Sequence, residues 1–63
     1  MNWKLLRLRA GLSLDKAAAR ADVTATTARI FELDPLAVRD ERKRSALEAV
    51  YRALDAAARE GAS

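Results

Sequence analysis

Apolar positions along the chain recur at helical rather than alternating spacing. Trp3, Leu6 and Ala10 fall at i, i+3 and i+7, one face of a helix, with Leu5 and Leu8 flanking it and Lys4, Arg7 and Arg9 mostly outside. Asn2 can cap this helix and Gly11 can stop it, which predicts a first helix over about residues 2–10. Ser13 is an N-cap for a second helix, and Asp15 falls in its first turn, where the helix dipole favours negative charge. Leu14, Ala17, Ala18 and Ala21 form its inner stripe, and alanine at these positions lets a neighbouring helix approach closely. Asp22 tolerates the left-handed conformation of a tight exit turn better than most residues. Val23 then points inward, Thr24 is the next N-cap, and a third helix is expected over residues 25–33. Thr24, Ala28 and Phe31 share one face of it with Glu32 at the edge, while Thr26, Arg29, Ile30 and Leu33 lie opposite.

The pair Asp34-Pro35 ends this pattern and can open a short turn of helix as N-cap and first helical residue. Leu36 and Val38 are expected to plug the core from that connection. A last helix is predicted over about residues 40–60. Leu47, Val50, Tyr51, Leu54 and Ala58 make its apolar stripe. The other face carries Arg44, Glu48, Arg52, Asp55 and Arg59, in which Glu48–Arg52 and Asp55–Arg59 are acid-then-base i,i+4 pairs worth about 0.2–0.5 kcal/mol each. The expected architecture is all-α, a compact bundle of four to five helices in one domain over residues 1–63, with a helix-turn-helix core at about 13–33.

Composition sharpens this. Of the hydrophobic 51%, fifteen residues are alanine, the best helix former. Few large side chains remain for a core, so a monomer of this length is only marginally stable. The absence of Cys and His removes disulfides, thiol chemistry and the usual zinc ligands, and fits a cytoplasmic protein. No signal peptide and no membrane-spanning run is apparent. With no glycine-rich phosphate loop, nucleophile system or convergent acid pair, neither an enzyme, a cofactor nor a small-molecule ligand is expected. The net charge of +3 lies wholly in residues 1–33, which hold six basic and three acidic side chains, against six of each beyond. That asymmetry suits a polyanion partner, or is a solvated basic surface.

Two short helices around a tight turn with small residues between them describe a helix-turn-helix. The stretch RLRAGLSLDKAAARADVTATTARIFE resembles the Xre family of helix-turn-helix regulators, which includes the lambdoid phage repressors and Cro proteins. The resemblance is carried by Arg7, Gly11-Leu12-Ser13, Ala17-Ala18, Val23-Thr24, Thr27 and Glu32. It departs from the family at Leu14, where a phosphate-touching Gln is frequent, at Asp22 for the turn glycine, at Ala28 for an isoleucine, and at Ile30, a polar base-reading position. The resemblance implies a lambda-repressor-like bundle, an ion pair between Arg7 and Glu32, and a third helix that enters the major groove by its N-terminal end. The hydroxyls of Ser13, Thr24 and Thr27 are then candidates for phosphate contact, and Thr26 joins Ala25, Arg29 and Ile30 as candidates for base contact. Arg29 suits guanine, and Ala25 and Ile30 suit thymine methyls. Arg39, Arg42, Lys43 and Arg44 of the run RDERKR are candidates for the phosphate backbone, or simply a solvated helix start. Thr24 also caps its helix, and Ile30 alternatively belongs to the core or to a dimer contact.

The expected function is a Cro-like repressor that binds double-stranded DNA at a near-palindromic operator as a homodimer. Val50, Tyr51, Leu54 and Ala58 of the last helix are the candidate dimer surface; otherwise that stripe is used up within the monomer. The alternative function is a protein-interaction module, such as a small antitoxin or phage inhibitor, on the same scaffold.

Overall fold

Four α-helices and one 3-10 turn make up the computed structural model, which describes residues 2–61. They are α1 (Trp3–Arg9), α2 (Leu14–Arg20), α3 (Ala25–Leu33), the 3-10 turn Pro35–Ala37, and α4 (Glu41–Gly61). Each begins where a short polar side chain takes up a free backbone N–H. Asn2 accepts from the Leu5 amide at 3.0 Å, Ser13 from Lys16 at 3.2 Å, and Thr24 from Thr27 at 3.2 Å. Asp34 accepts from the Leu36 amide at 3.2 Å, and Asp40 from those of Arg42 and Lys43 at 3.0 and 3.3 Å. Each cap replaces water on a donor that has no partner within the helix.

The first two helices end alike. Gly11 and Asp22 adopt left-handed backbone, with φ of 69° and 56°. After α1, the Gly11 amide donates to Leu8 and the Leu12 amide to Arg7; after α2, the Asp22 amide donates to Ala19 and the Val23 amide to Ala18. This is the Schellman arrangement, which occupies the last carbonyls and turns the chain sharply. Asp22 therefore does the work of a glycine and carries the strain of a Cβ at positive φ.

The core forms between α2, α3 and α4. Ala17, Ala18, Ala21 and Ala28 are buried, and their small size lets α2 and α3 cross closely. Phe31, Leu47, Tyr51 and Val38 fill the space behind them. Trp3 brings α1 onto this core by stacking at 5.0 Å from Phe31 and 6.1 Å from Tyr51, and Phe31 and Tyr51 meet edge-on at 5.4 Å. Such tilted contacts match the positive ring edge to the negative face. The 21 residues of α4 run about 30 Å at helical rise, which sets the 36 Å long axis of the molecule.

Several expectations need correction. Leu36 does not plug the core; it is 79% exposed, because the 3-10 turn presents Val38 inward and carries Leu36 around to solvent. Ala10 is exposed as the C-cap of α1, so Leu6 and Trp3 alone hold that face. Arg7, read as mostly outside, is 8% exposed. Tyr51 and Leu54, expected at a dimer surface, are buried within the protomer against its own helices.

Candidate nucleic-acid interface

The third helix has two sharply different sides. Ala28 and Phe31 are buried, and the Glu32 side chain is 6% exposed, so this side is locked into the core. Thr26, Arg29, Ile30 and Leu33 face solvent, and Ala25 is half-buried at the front of the helix. Among the described residues, Arg29 takes part in no ion pair. The expected base-facing set therefore comes together on one surface, with Ala25 at its margin.

The hydroxyl candidates are more constrained. Thr24 Oγ1 accepts from the Thr27 amide and also meets Thr27 Oγ1 at 3.0 Å. A hydroxyl has one proton. Whichever threonine donates to the other, a single proton of the pair is left for a phosphate oxygen. Ser13 only accepts, from the Lys16 amide, so its own proton is free.

Beneath this surface lies a buried triad. Arg7 Nε donates to Glu32 Oε2 at 2.5 Å and Arg7 Nη2 to Glu32 Oε1 at 3.2 Å, a two-pronged pair joining α1 to α3. Arg7 Nη1 donates to the Leu12 carbonyl at 3.0 Å. The Tyr51 hydroxyl donates to Glu32 Oε2 and brings in α4. The Glu32 bond holds the Arg7 pKa above its usual value, against the opposing effect of burial. The Tyr51 phenol is also pushed up, first by burial and then by its bond to the Glu32 carboxylate. No buried side-chain nitrogen or oxygen among the described residues lacks a partner. The family resemblance implied the Arg7–Glu32 pair, whereas Tyr51 was not expected in it. Its signal was a phenol in a core stripe, since a buried hydroxyl requires an acceptor.

A cleft of about 290 Å³ opens over the triad, lined by Lys4 and Arg7 of α1, Leu14 of α2, and Arg29, Glu32 and Leu33 of α3. Glu32 is committed to Arg7 and Tyr51, so the rim keeps the charge of Lys4 and Arg29. Of the RDERKR cations, Arg39, Arg42 and Lys43 are exposed. Arg44 instead turns back, its Nη1 donating to the Val38 carbonyl at 3.0 Å, which ties the connection to the start of α4. On the proposed dimer stripe, Val50 is half-buried and Ala58 exposed, so those two are what remains for a partner.

Comparison with protein-family models, with curated proteins and with solved structures finds no match to this chain. Among the described residues no group of three or more His, Cys, Asp or Glu side chains is placed to hold a metal ion. No described helix is long and apolar enough to cross a membrane.

Proposed function

We propose that the chain is a sequence-specific DNA-binding repressor of the Xre type. It would act as a homodimer on a near-palindromic operator and exclude polymerase by occupying the promoter. The observation that carries this reading is the division of α3. Its inner side is fastened by Ala28, Phe31 and Glu32, and its outer side leaves Thr26 free near the end that follows a tight turn and Arg29 and Ile30 free at mid-helix. A recognition helix enters the major groove by that end, where short side chains let the backbone approach. The amides of the first turn favour nearby phosphate, and the unpaired Arg29 suits the two acceptors of guanine. Arg39, Arg42 and Lys43 supply charge for the backbone without reading sequence. A two-fold pair would set two such helices about 34–36 Å apart, one turn of DNA.

The test is selection of duplexes from a random pool, followed by binding of selected and random DNA to Arg29→Ala and Arg42→Ala. Arg29→Ala is expected to lose about 1–3 kcal/mol on the selected site and little on random DNA. Arg42→Ala is expected to weaken both alike. Equal weakening of both by Arg29→Ala would sink the base-reading role. A protein-interaction module is the second reading, and Leu33 at the end of α3 and Leu36 in the 3-10 turn after it favour it, each 79% exposed.

A further inference from the structure

The last helix has little left to offer a partner, because Leu47, Tyr51 and Leu54 are used inside the protomer. The large apolar side chains left exposed among the described residues are Leu5 and Leu8 on α1, Ile30 and Leu33 on α3, and Leu36 in the 3-10 turn. Leu33 and Leu36 are the most open, at 79% each, and no more than about 11 Å of chain separates them. Pro35 beside them is half-buried and Ala37 exposed, so residues 33–37 hold a single polar side chain, Asp34.

Charge tells the two leucine patches apart. No acid occurs in α1, and Leu5 and Leu8 are bordered by Lys4 and Arg9, so a second copy of that patch would be repelled. Leu36 has an acid two residues before it and a base three residues after it, Asp34 and Arg39, both exposed. Among the described residues neither is in an ion pair. Asp34 uses Oδ1 to accept from the Leu36 amide, and Oδ2 keeps its acceptor sites. An apolar centre with one acid and one base at its edges is complementary to itself under a two-fold axis, where each residue meets in the other copy what that copy's equivalent meets in the first.

We infer that residues 33–39 are the surface on which two copies of this chain associate. Leu33 and Leu36 pack on their two-fold equivalents, and Asp34 of each copy pairs with Arg39 of the other. This rests on the homodimer of the DNA-binding reading and moves its contact from α4 to the C-terminal end of α3. The N-terminal end of α3, which enters the groove in that reading, stays uncovered. A patch this short is far below the roughly 20–30 residues a side of a standard interface, so the free dimer is weak.

The test is sedimentation equilibrium of the 63-residue chain from about 10 µM to about 1 mM. Wild type is expected to pass from monomer to dimer over this range. Leu36→Ser, at an exposed position, is expected to weaken dimerisation by about 100-fold or more with unchanged far-UV circular dichroism. Arg39→Glu and Asp34→Lys are each expected to stay monomeric, since each sets like charges together twice in the dimer. Mixed in equal amounts they are expected to form a heterodimer, because both pairs are then opposite in sign. Where Asp34→Lys unfolds for want of its cap, Asp34→Asn keeps the capping oxygen and is expected to dimerise more weakly than wild type. A wild type that stays monomeric throughout, a Leu36→Ser that dimerises as wild type does, or a folded mixture that does not associate overturns the inference. Duplex selection from a random pool decides the DNA-binding reading separately. Enrichment by a chain that stays monomeric leaves that reading without this surface, and a dimer that enriches no duplex leaves this surface without that reading.

Discussion

Replacing Glu32 by Gln tests the triad that joins three of the four helices. In the native protein one carboxylate takes three donated bonds, from Arg7 Nε, Arg7 Nη2 and the Tyr51 hydroxyl. A glutamine has one oxygen. Set at the Oε2 position, that oxygen retains Arg7 Nε and Tyr51. The amide nitrogen then faces Arg7 Nη2, donor against donor. The Arg7 charge also loses its counter-ion while the residue stays 8% exposed. Breaking one side of a buried pair costs about 3–5 kcal/mol. A chain of this length is expected to have about 3–9 kcal/mol of stability in all. Glu32→Gln should therefore lower the melting midpoint by about 12–24 °C for the first 3 kcal/mol alone.

Thermal and urea unfolding followed by far-UV circular dichroism reads this, with two comparison variants that fix the scale. Glu48→Gln removes an exposed i,i+4 pair with Arg52 and is expected to cost under about 1 kcal/mol. Tyr51→Phe removes one of the three bonds while Arg7 keeps its partner, at about 1–2 kcal/mol. The expected order of destabilisation is Glu48→Gln, then Tyr51→Phe, then Glu32→Gln. If Glu32→Gln melts with Glu48→Gln, water reaches the triad and the argument from burial is wrong.

The Tyr51 phenol holds its proton in the folded state at a pH where the unfolded chain has lost it, because burial first and the Glu32 bond second raise its pKa. Stability is therefore level below the ordinary tyrosine value of about 10 and falls as pH rises beyond it, and Tyr51→Phe should flatten that limb in urea titrations across the range. Asp22→Gly should stabilise by about 0.5–1 kcal/mol, since φ of 56° strains a Cβ there; no gain in melting midpoint would mean that the aspartate has a compensating contact. DNA affinity should fall on the order of 10³–10⁵ between about 50 and 200 mM salt for a dimer making about 6–10 phosphate contacts. A flat salt response would place Arg39, Arg42 and Lys43 away from the duplex.

What was legible in the sequence was local. Ser13, Thr24 and Asp34 announce helix starts because an oxygen two or three bonds from the backbone can reach only the amides just ahead of it. Asp22 marks a left-handed turn because few other residues tolerate one. The identity of what covers a face was not legible. Periodicity states that Tyr51 and Leu54 are buried, and it is silent on whether their own fold or a second copy buries them. The protomer turns out to bury both. Leu36 was misplaced for a related reason. A turn of three residues per repeat cannot carry Leu36 and Val38 to the same side, and the buried position went to Val38. The Arg44 bond to Val38 had no sequence signal, since a long side chain at a helix start reaches solvent as readily as a carbonyl six residues back.

The candidate site gains from this arrangement in a way that neither side of α3 explains alone. A helix of nine residues has little stability of its own. Its orientation has to be imposed, and on the DNA-binding reading it has to be imposed from one side, so that the other stays clear. Bulky side chains at Ala18 and Ala28 would hold α3 away from α2 and seat it less firmly. Alanines bring the two backbones together, and the bonds that specify angle are moved to the far end of α3, at Glu32. There Arg7 of α1 and Tyr51 of α4 pull on one carboxylate from different helices. Close packing at the front and a three-way anchor at the back leave Thr26, Arg29, Ile30 and Leu33 without structural duties. Substitution at those four positions should alter binding with little effect on folding. Substitution at Ala28 or Glu32 should alter folding first and binding only as a consequence.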